Sequence, residues 1–442
     1  MKKLQNLSET SFLKLFFTLI SAALLITAFC LPDRAQMLSG LGKILSSPAK
    51  LSTNYFSFGF AATFLNMGLV GLVLVALYHF TKATVNNVAT IAFLLTLSFS
   101  CWGINLLNMW PPVLGAVLGG LIKKEKLSAV VNAALFSTGI SPIVSELMVR
   151  YPNPEVVGFN VVGIILGIVV GIAAGLLIPA GLPHSPKVHK GMNLFSAGLP
   201  VGMVAFLFNG MLYKVLGVDV PGAVGDLAVA NAPLINIFCG ALFALFIVLA
   251  LLMGCTPKDY WNLLKNRDQV GSVSGSCGNA VFLMNAGVYG LVVLAYYNLI
   301  GANFNGVLLG LVLGMLSLCN SGSRPSNIWP IMLGYVVASF GAGWISGLVG
   351  DNFSLAINAP AIAVGLCFAS GLTPICDKYG WFYAFLGGIV HYCIVTLVPG
   401  LHGGFALYNG GFTAVLACVI LIPVLERFCK TKEERRADKA KV

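Results

Sequence analysis

A nine-residue stretch occurs twice in this chain, once in each half. It reads Gly103-Ile104-Asn105-Leu106-Leu107-Asn108-Met109-Trp110-Pro111, then Gly322-Ser323-Arg324-Pro325-Ser326-Asn327-Ile328-Trp329-Pro330. Gly, Asn, Trp and Pro recur at one spacing, offset by 219 residues. The same offset joins Gly59 to Gly278, Asn66 to Asn285, Gly68 to Gly287, Gly71 to Gly290 and Gly115 to Gly334. With small insertions, Ser137-Thr138-Gly139-Ile140-Ser141-Pro142 matches Ala369-Ser370-Gly371-Leu372-Thr373-Pro374, and the run from His189 to Gly198 matches that from His402 to Gly411. Matches in one order along both halves mean an internal duplication. Whatever this chain folds into is built twice.

The repeated unit is apolar. Of 442 residues 58% are hydrophobic and 9% charged, with mean hydropathy +0.90. A soluble protein carries roughly 25% charged residues. A hydrocarbon core about 30 Å thick needs about 20 apolar helical residues. Seven candidate stretches lie in the first half, at 13–31, 59–79, 86–102, 106–122, 127–148, 156–180 and 191–213. Seven more follow at 232–255, 277–299, 303–320, 327–347, 356–376, 381–400 and 405–425. The expected fold is an all-α polytopic membrane protein with about 14 membrane segments in two repeats of seven. Residues 1–213 form the first repeat, 214–231 an inter-repeat loop, 232–425 the second repeat and 426–442 a charged tail. The run after Lys2 and Lys3 imitates a signal peptide. It has a counterpart at 235–255, so it reads as a first segment. The stretch 32–58 reads as the longest loop of the first half.

Charge placement predicts orientation. If every segment spans and the N-terminus is cytoplasmic, 21 of the 26 Lys and Arg fall inside and 5 outside. That follows the positive-inside rule. Seven crossings per half would turn the second half upside down, giving inverted-topology repeats. The net charge of +11 is accounted for by this asymmetry, and no basic face interleaved with aromatics points to nucleic acid. The 11 cysteines lie mostly in apolar runs, without CxxC pairs or metal-ligand spacing. No metal, cofactor or catalytic residue is expected.

The doubled motif carries the candidate site. Proline suits a first helical turn. Asn108, and Ser326 or Asn327, are capping residue types just upstream. The reading is a helix N-terminus within the membrane, presenting N–H donors to a solute. A tight interhelical turn with an interfacial Trp is the competing reading. Substrate contacts are therefore expected among Asn66, Asn105, Asn108, Trp110, Asn285, Arg324, Asn327 and Trp329. An Asn in hydrocarbon needs a partner, so Asn66 and Asn285 equally suit helix packing. Arg324 stands where the first copy has Asn105, and could meet an anion. Ion or proton coupling is assigned to Glu146, Asp377, His189 and His402. Acidic groups at membrane depth mark such routes, and His titrates near neutrality. Segment-end carboxylates and interfacial turn histidines are the plainer alternatives.

The twin Gly-x-x-x-x-Asn-x-Trp-Pro and His-x-Gly-x-x-Leu-Phe/Tyr-Ser/Asn-x-Gly stretches resemble an uncharacterised family of prokaryotic integral membrane proteins, known as a domain of unknown function present twice per chain. The resemblance implies no substrate. Seven-plus-seven inverted repeats are similar in plan to nucleobase and sulfate-type carriers, without a motif match. The expected function is secondary transport of a small polar or anionic solute by alternating access, in a prokaryotic inner membrane with both termini cytoplasmic. A channel or facilitator is the alternative. An intramembrane enzyme lacks any supporting motif. The expected partners are the lipid bilayer and the solute, and a homo-oligomer is compatible with this reading.

Overall fold

The computed structural model describes residues 2–51, 53–153, 155–266, 271–350 and 355–440. Arg267 and Lys441, two of the 21 basic residues expected on the inner side, lie outside them. Among the described residues the chain is helical, without a strand. Seven principal helices occupy the first half. They are α1 (Glu9–Cys30), α2 (Phe60–Phe80), α3 (Asn87–Phe99), α4 (Trp110–Ile122), α5 (Leu127–Arg150), α6 (Val161–Gly181) and α7 (Gly198–Asn209). The second half holds α8 (Ala232–Leu252), α9 (Asn279–Leu299), α10 (Gly306–Met315), α11 (Pro325–Val349), α12 (Pro360–Lys378), α13 (Trp381–Val395) and α14 (Asn409–Phe428). Each αn corresponds to αn+7.

Nine helices among the described residues are long and apolar enough to cross a membrane, and α3, α4, α10 and α13 are shorter apolar helices. Outward side chains such as Val161, Val162, Ile165, Phe340 and Leu348 are exposed. Bare apolar surface of this kind suits lipid, not water. The chain is thus a multi-pass helical protein associated with a bilayer. The stretch 32–58 is not the loop its composition suggests. It contains a helix at Met37–Ser46 and short turns on either side.

Local sequence explains where the short helices begin. Asn86 accepts from the Ala89 N–H at 3.2 Å and caps α3. Asn305, 219 residues on, accepts from the Leu308 N–H at 3.1 Å and caps α10. At 1.5 Å per residue α3 is about 20 Å long and α10 about 15 Å. Neither covers a 30 Å core. α3 stops in turns and α10 runs into the 3₁₀ stretch Leu316–Ser321, and backbone off the α-helical ladder at such depth has to be satisfied by protein.

Glycine sets the closest helix contacts. A Cβ on Gly115 of α4 would stand 2.1 Å from the Ile172 carbonyl oxygen, and one on Gly175 of α6 would stand 2.1 Å from that of Pro112. The second half repeats this between α11 and α13. There Gly334 faces the Phe385 carbonyl and Gly388 that of Ile331. In both halves the helix after the motif packs backbone to backbone on the sixth helix.

The halves interlock at both ends. Glu9, at the start of α1, accepts from Ser272 and from Ser274 (2.8 Å), beyond the end of α8. Asn54, beyond the end of α1, donates to the Asp226 (2.7 Å) and Val229 (2.9 Å) carbonyls, ahead of α8.

Candidate functional site

Asn66 on α2 donates through Nδ2 to the carbonyls of Ser100 (2.6 Å) and Ile104 (3.0 Å), just past α3. Asn285 on α9 does the same to Cys319 (3.2 Å) and Ser323 (2.8 Å), past α10. All four acceptors match at the 219 offset. These amides supply the partners that irregular buried backbone requires.

The motif asparagines close the break. Asn108 accepts from the Asn105 N–H at 2.8 Å and donates to the Gly103 carbonyl (2.9 Å) and Ser145 Oγ (2.8 Å). Asn327 accepts from the Arg324 N–H at 2.9 Å and donates to the Gly322 carbonyl (3.1 Å) and Asp377 Oδ2 (3.1 Å). Each side chain ties its own turn and one neighbouring helix. Met109, not Asn108, occupies the N-cap position of α4. In the second copy the helix begins at Pro325, so Trp329 and Pro330 lie one turn inside α11. Gly322 has φ +97°. Gly103 is needed for space instead, since an added Cβ would stand 2.6 Å from Leu407 Cδ2.

Where the copies diverge they diverge as a pair. The first half has Asn105 and Ser145, each bonded to Asn108, where the second has Arg324 and Asp377, which meet directly. Arg324 Nη2 lies 2.8 Å from Asp377 Oδ1 and Nη1 3.4 Å from Oδ2. The residues are 1% and 7% exposed. Arg324 also donates to the carbonyls of Gly322 (2.7 Å) and Asn266. The first half places its charge pair elsewhere. Arg150 grips both Glu146 oxygens at 2.5 and 2.9 Å and donates to the Gly222 carbonyl.

A second kind of break interrupts α5 and α12. Each contains one 3₁₀ turn, Thr138–Ile140 and Ser370–Leu372, at the Gly-x-Ser/Thr-Pro stretch. Such turns free carbonyls from the α-helical ladder. The Gly371 carbonyl accepts from the Leu194 N–H, and the Gly139 carbonyl from the Leu407 N–H, each at 2.9 Å. Each half therefore completes the broken helix of the other. The donors belong to turns closed by histidine. His189 Nε2 meets Ser196 Oγ at 2.7 Å, and His402 Nε2 meets Asn409 Oδ1 at 2.7 Å. Burial pushes His402 below the usual histidine range. His391 is spoken for, bonded to the Tyr335 hydroxyl and the Gly410 carbonyl.

Cavities adjoin these turns. One of about 470 Å³ is lined by Lys50, Lys214, Val364, Pro399, Gly403 and Asn409, among others. Another of about 380 Å³ is lined by Asn87, His189, Asn193, Ser196, Thr373 and Asp377, among others. It adjoins an apolar cavity of about 420 Å³ reaching Phe195, Phe368 and Tyr408, with Val88, Ile91, Pro186, Leu194 and Ser196 in both walls. Gly198 touches the apolar cavity and Lys214 the first one. Sixteen residues of α7 and its extension Gly210–Lys214 separate them, about 24 Å of helix. The cavities thus approach from opposite ends. Between them stand consecutive residues Tyr408 and Asn409, and Val364 and Phe368 one turn apart on α12. Phe99, Phe368 and Tyr408 pack together there, with ring centroids 5.5 to 6.4 Å apart.

Of the candidates read from sequence, Asp377 and His189 line one cavity, and His402 reaches the other through Asn409. Asn66, Asn105, Asn108, Asn285, Arg324 and Asn327 are buried behind the walls. Glu146 is enclosed with Arg150. Trp110 packs against Val113, Ala116, Val130 and Ala134. Trp329 stacks on Trp381 in a recess lined by tail residues Lys432 and Arg435. Sequence reasoning missed Lys50, Lys214, Asn193, Ser196, Tyr408 and Asn409. Ser196 and Asn409 could have been found, since both lie seven residues after the matched histidines. Among the described residues no group of three or more His, Cys, Asp or Glu could hold a metal ion.

The description "Protein of unknown function (DUF1576)" matches residues 33–214 and again 257–427. The chain belongs to this family. The domain is present twice, in the two halves that share the motif. No curated protein matches the chain, and no solved structure does.

Proposed function

We propose that this DUF1576 protein is a secondary transporter of a small polar or anionic solute. It works by alternating access between two inverted repeats of seven membrane segments, in the cell membrane of a prokaryote, with both termini cytoplasmic. The observation that carries the reading is the pair of cavities approaching from opposite ends and meeting at Tyr408–Asn409. A thin barrier between two half-paths is what a carrier needs. The inversion is supported by the end contacts, because the start of α1 bonds beyond the end of α8 while the segment after α1 bonds ahead of it. An axis in the membrane plane relates such repeats. The two histidine turns serve as gates. Each seats its backbone on the broken helix of the other half, so opening one end disturbs the 3₁₀ turn that the opposite repeat supplies.

Proteoliposomes loaded with a mixture of small carboxylates, amino acids and sugars test the proposal. A carrier gives saturable efflux of particular solutes, accelerated by the same solute outside. Non-saturable flux without such exchange would make the protein a channel.

A further inference from the structure

We infer that the cavity at Lys50 and Lys214 is an anion-binding site for a small solute bearing one carboxylate or phosphate group. This deepens the transport reading and rests on it. Lys50 is half-buried and, among the described residues, forms no ion pair. Its ammonium donates to the Pro221 carbonyl and lies 5.5 Å from the centroid of the Phe405 ring. Neither neighbour cancels its charge. A carboxylate does act on it, that of Glu146. Arg150 already holds both oxygens of that group. Desolvation holds Lys50 below the ordinary lysine range.

A charge partly withdrawn from water gains from a partner. A lysine spared that partner, facing a cavity, calls for a counter-ion that comes and goes. Lys214 lines the same cavity, and among the described residues no Asp or Glu does. The cavity at the other end includes Asp377. Opposite Lys50 the wall is bare backbone. Gly403 and Gly404 have φ +63° and +80°, and a Cβ on Gly404 would stand 2.9 Å from Lys50 Cε. Larger residues there would displace the lysine stem. Asn409 adds an amide at the inner end, beside His402. A volume of about 470 Å³ exceeds a halide and falls in the range of small-molecule sites.

The test uses the full chain in phosphatidylcholine nanodiscs. Thermal unfolding is followed with potassium acetate, pyruvate, phosphate or chloride at matched ionic strength. Pyruvate, acetate or phosphate should raise the unfolding temperature saturably, and chloride should not. Lys50→Met and Lys214→Met should each weaken the apparent affinity by about tenfold or more, the loss of a charge-assisted contact. Lys50→Arg should retain binding, which separates charge from folding, and exposed Lys43→Met should change nothing. No saturable shift above chloride overturns the inference, as does an equal shift in Lys50→Met and Lys214→Met. Stabilisation seen only when phosphatidylglycerol replaces phosphatidylcholine also overturns it, because a lipid headgroup then fills the site. Solute flux without anion binding would refute this site and leave the carrier standing. Anion binding without flux would do the reverse.

Discussion

The first half of the chain shows how to remove the Arg324–Asp377 pair without breaking the break. Asn105 and Ser145 occupy the matching places and bridge through Asn108 with no charge. Asp377→Ser alone leaves a guanidinium that is 1% exposed with only the Gly322 and Asn266 carbonyls. Stranding one member of a buried pair costs about 3–5 kcal/mol. Arg324→Asn alone leaves Asp377 with the Asn327 amide at 3.1 Å and the charge of Lys432, and falls at the lower end of the same range. The double variant Arg324→Asn/Asp377→Ser rebuilds the first-half arrangement and should cost about 1–2 kcal/mol, since replacing both members of a buried pair is often near neutral. The coupling between the two changes is then about 4 kcal/mol or more, above the roughly 0.5–3 kcal/mol usual for touching residues. At roughly 2 °C per kcal/mol for a chain of this size, each single variant should unfold about 6–10 °C lower and the double only about 2–4 °C lower. Thermal loss of the monodisperse peak in size-exclusion chromatography reads the difference. Additive losses in the double variant would refute the view that the pair is a self-contained swap. The same variants sort structure from transport. A folded double variant with normal flux means that the pair only holds the break, and a folded but inactive one means that the charges act on solute or ion.

Three further outcomes are expected. Gly175→Ala puts a methyl 2.1 Å from the Pro112 carbonyl and should cost about 1–3 kcal/mol in melting experiments, whereas Gly240→Ala on α8, with open space around it, should be neutral or gain up to about 1 kcal/mol. Because burial holds His402 below 6.5 in the folded chain, the unfolded chain binds more protons as pH falls through that value, so stability should drop from pH 7 to 5. His402→Gln should flatten that slope, and an unchanged slope would assign it to other groups. A cysteine replacing Lys124, in a background without accessible native thiols, should react with impermeant maleimide only from the cytoplasmic side; labelling from outside would overturn the inverted-repeat reading.

Sequence alone was enough for the doubled architecture and the helical membrane class. Both follow from local, one-dimensional physics, since hydropathy dictates what can leave water and a constant offset of 219 marks the same unit twice. It was also enough to mark the breaks at Gly103 and Gly322, because Gly favours leaving the helix and Pro suits the start of the next one. The partners of those breaks were out of its reach. Asn66 lies 34 and 38 residues from the carbonyls it serves, and Leu407 completes a turn at Gly139 from the other half. Asn108 was legible as a polar residue at a helix start, yet tertiary packing turned its amide inward, to Asn105, Gly103 and Ser145. Arg324 looked like a free cation until Asp377, 53 residues away, closed on it. Lys50 looked like a loop charge until the fold set it on a cavity wall with no carboxylate in ion-pair contact among the described residues. A side chain's type is set by the gene, but whether its valence is spent or available depends on which distant backbone and charges the folded chain places within 3 Å of it.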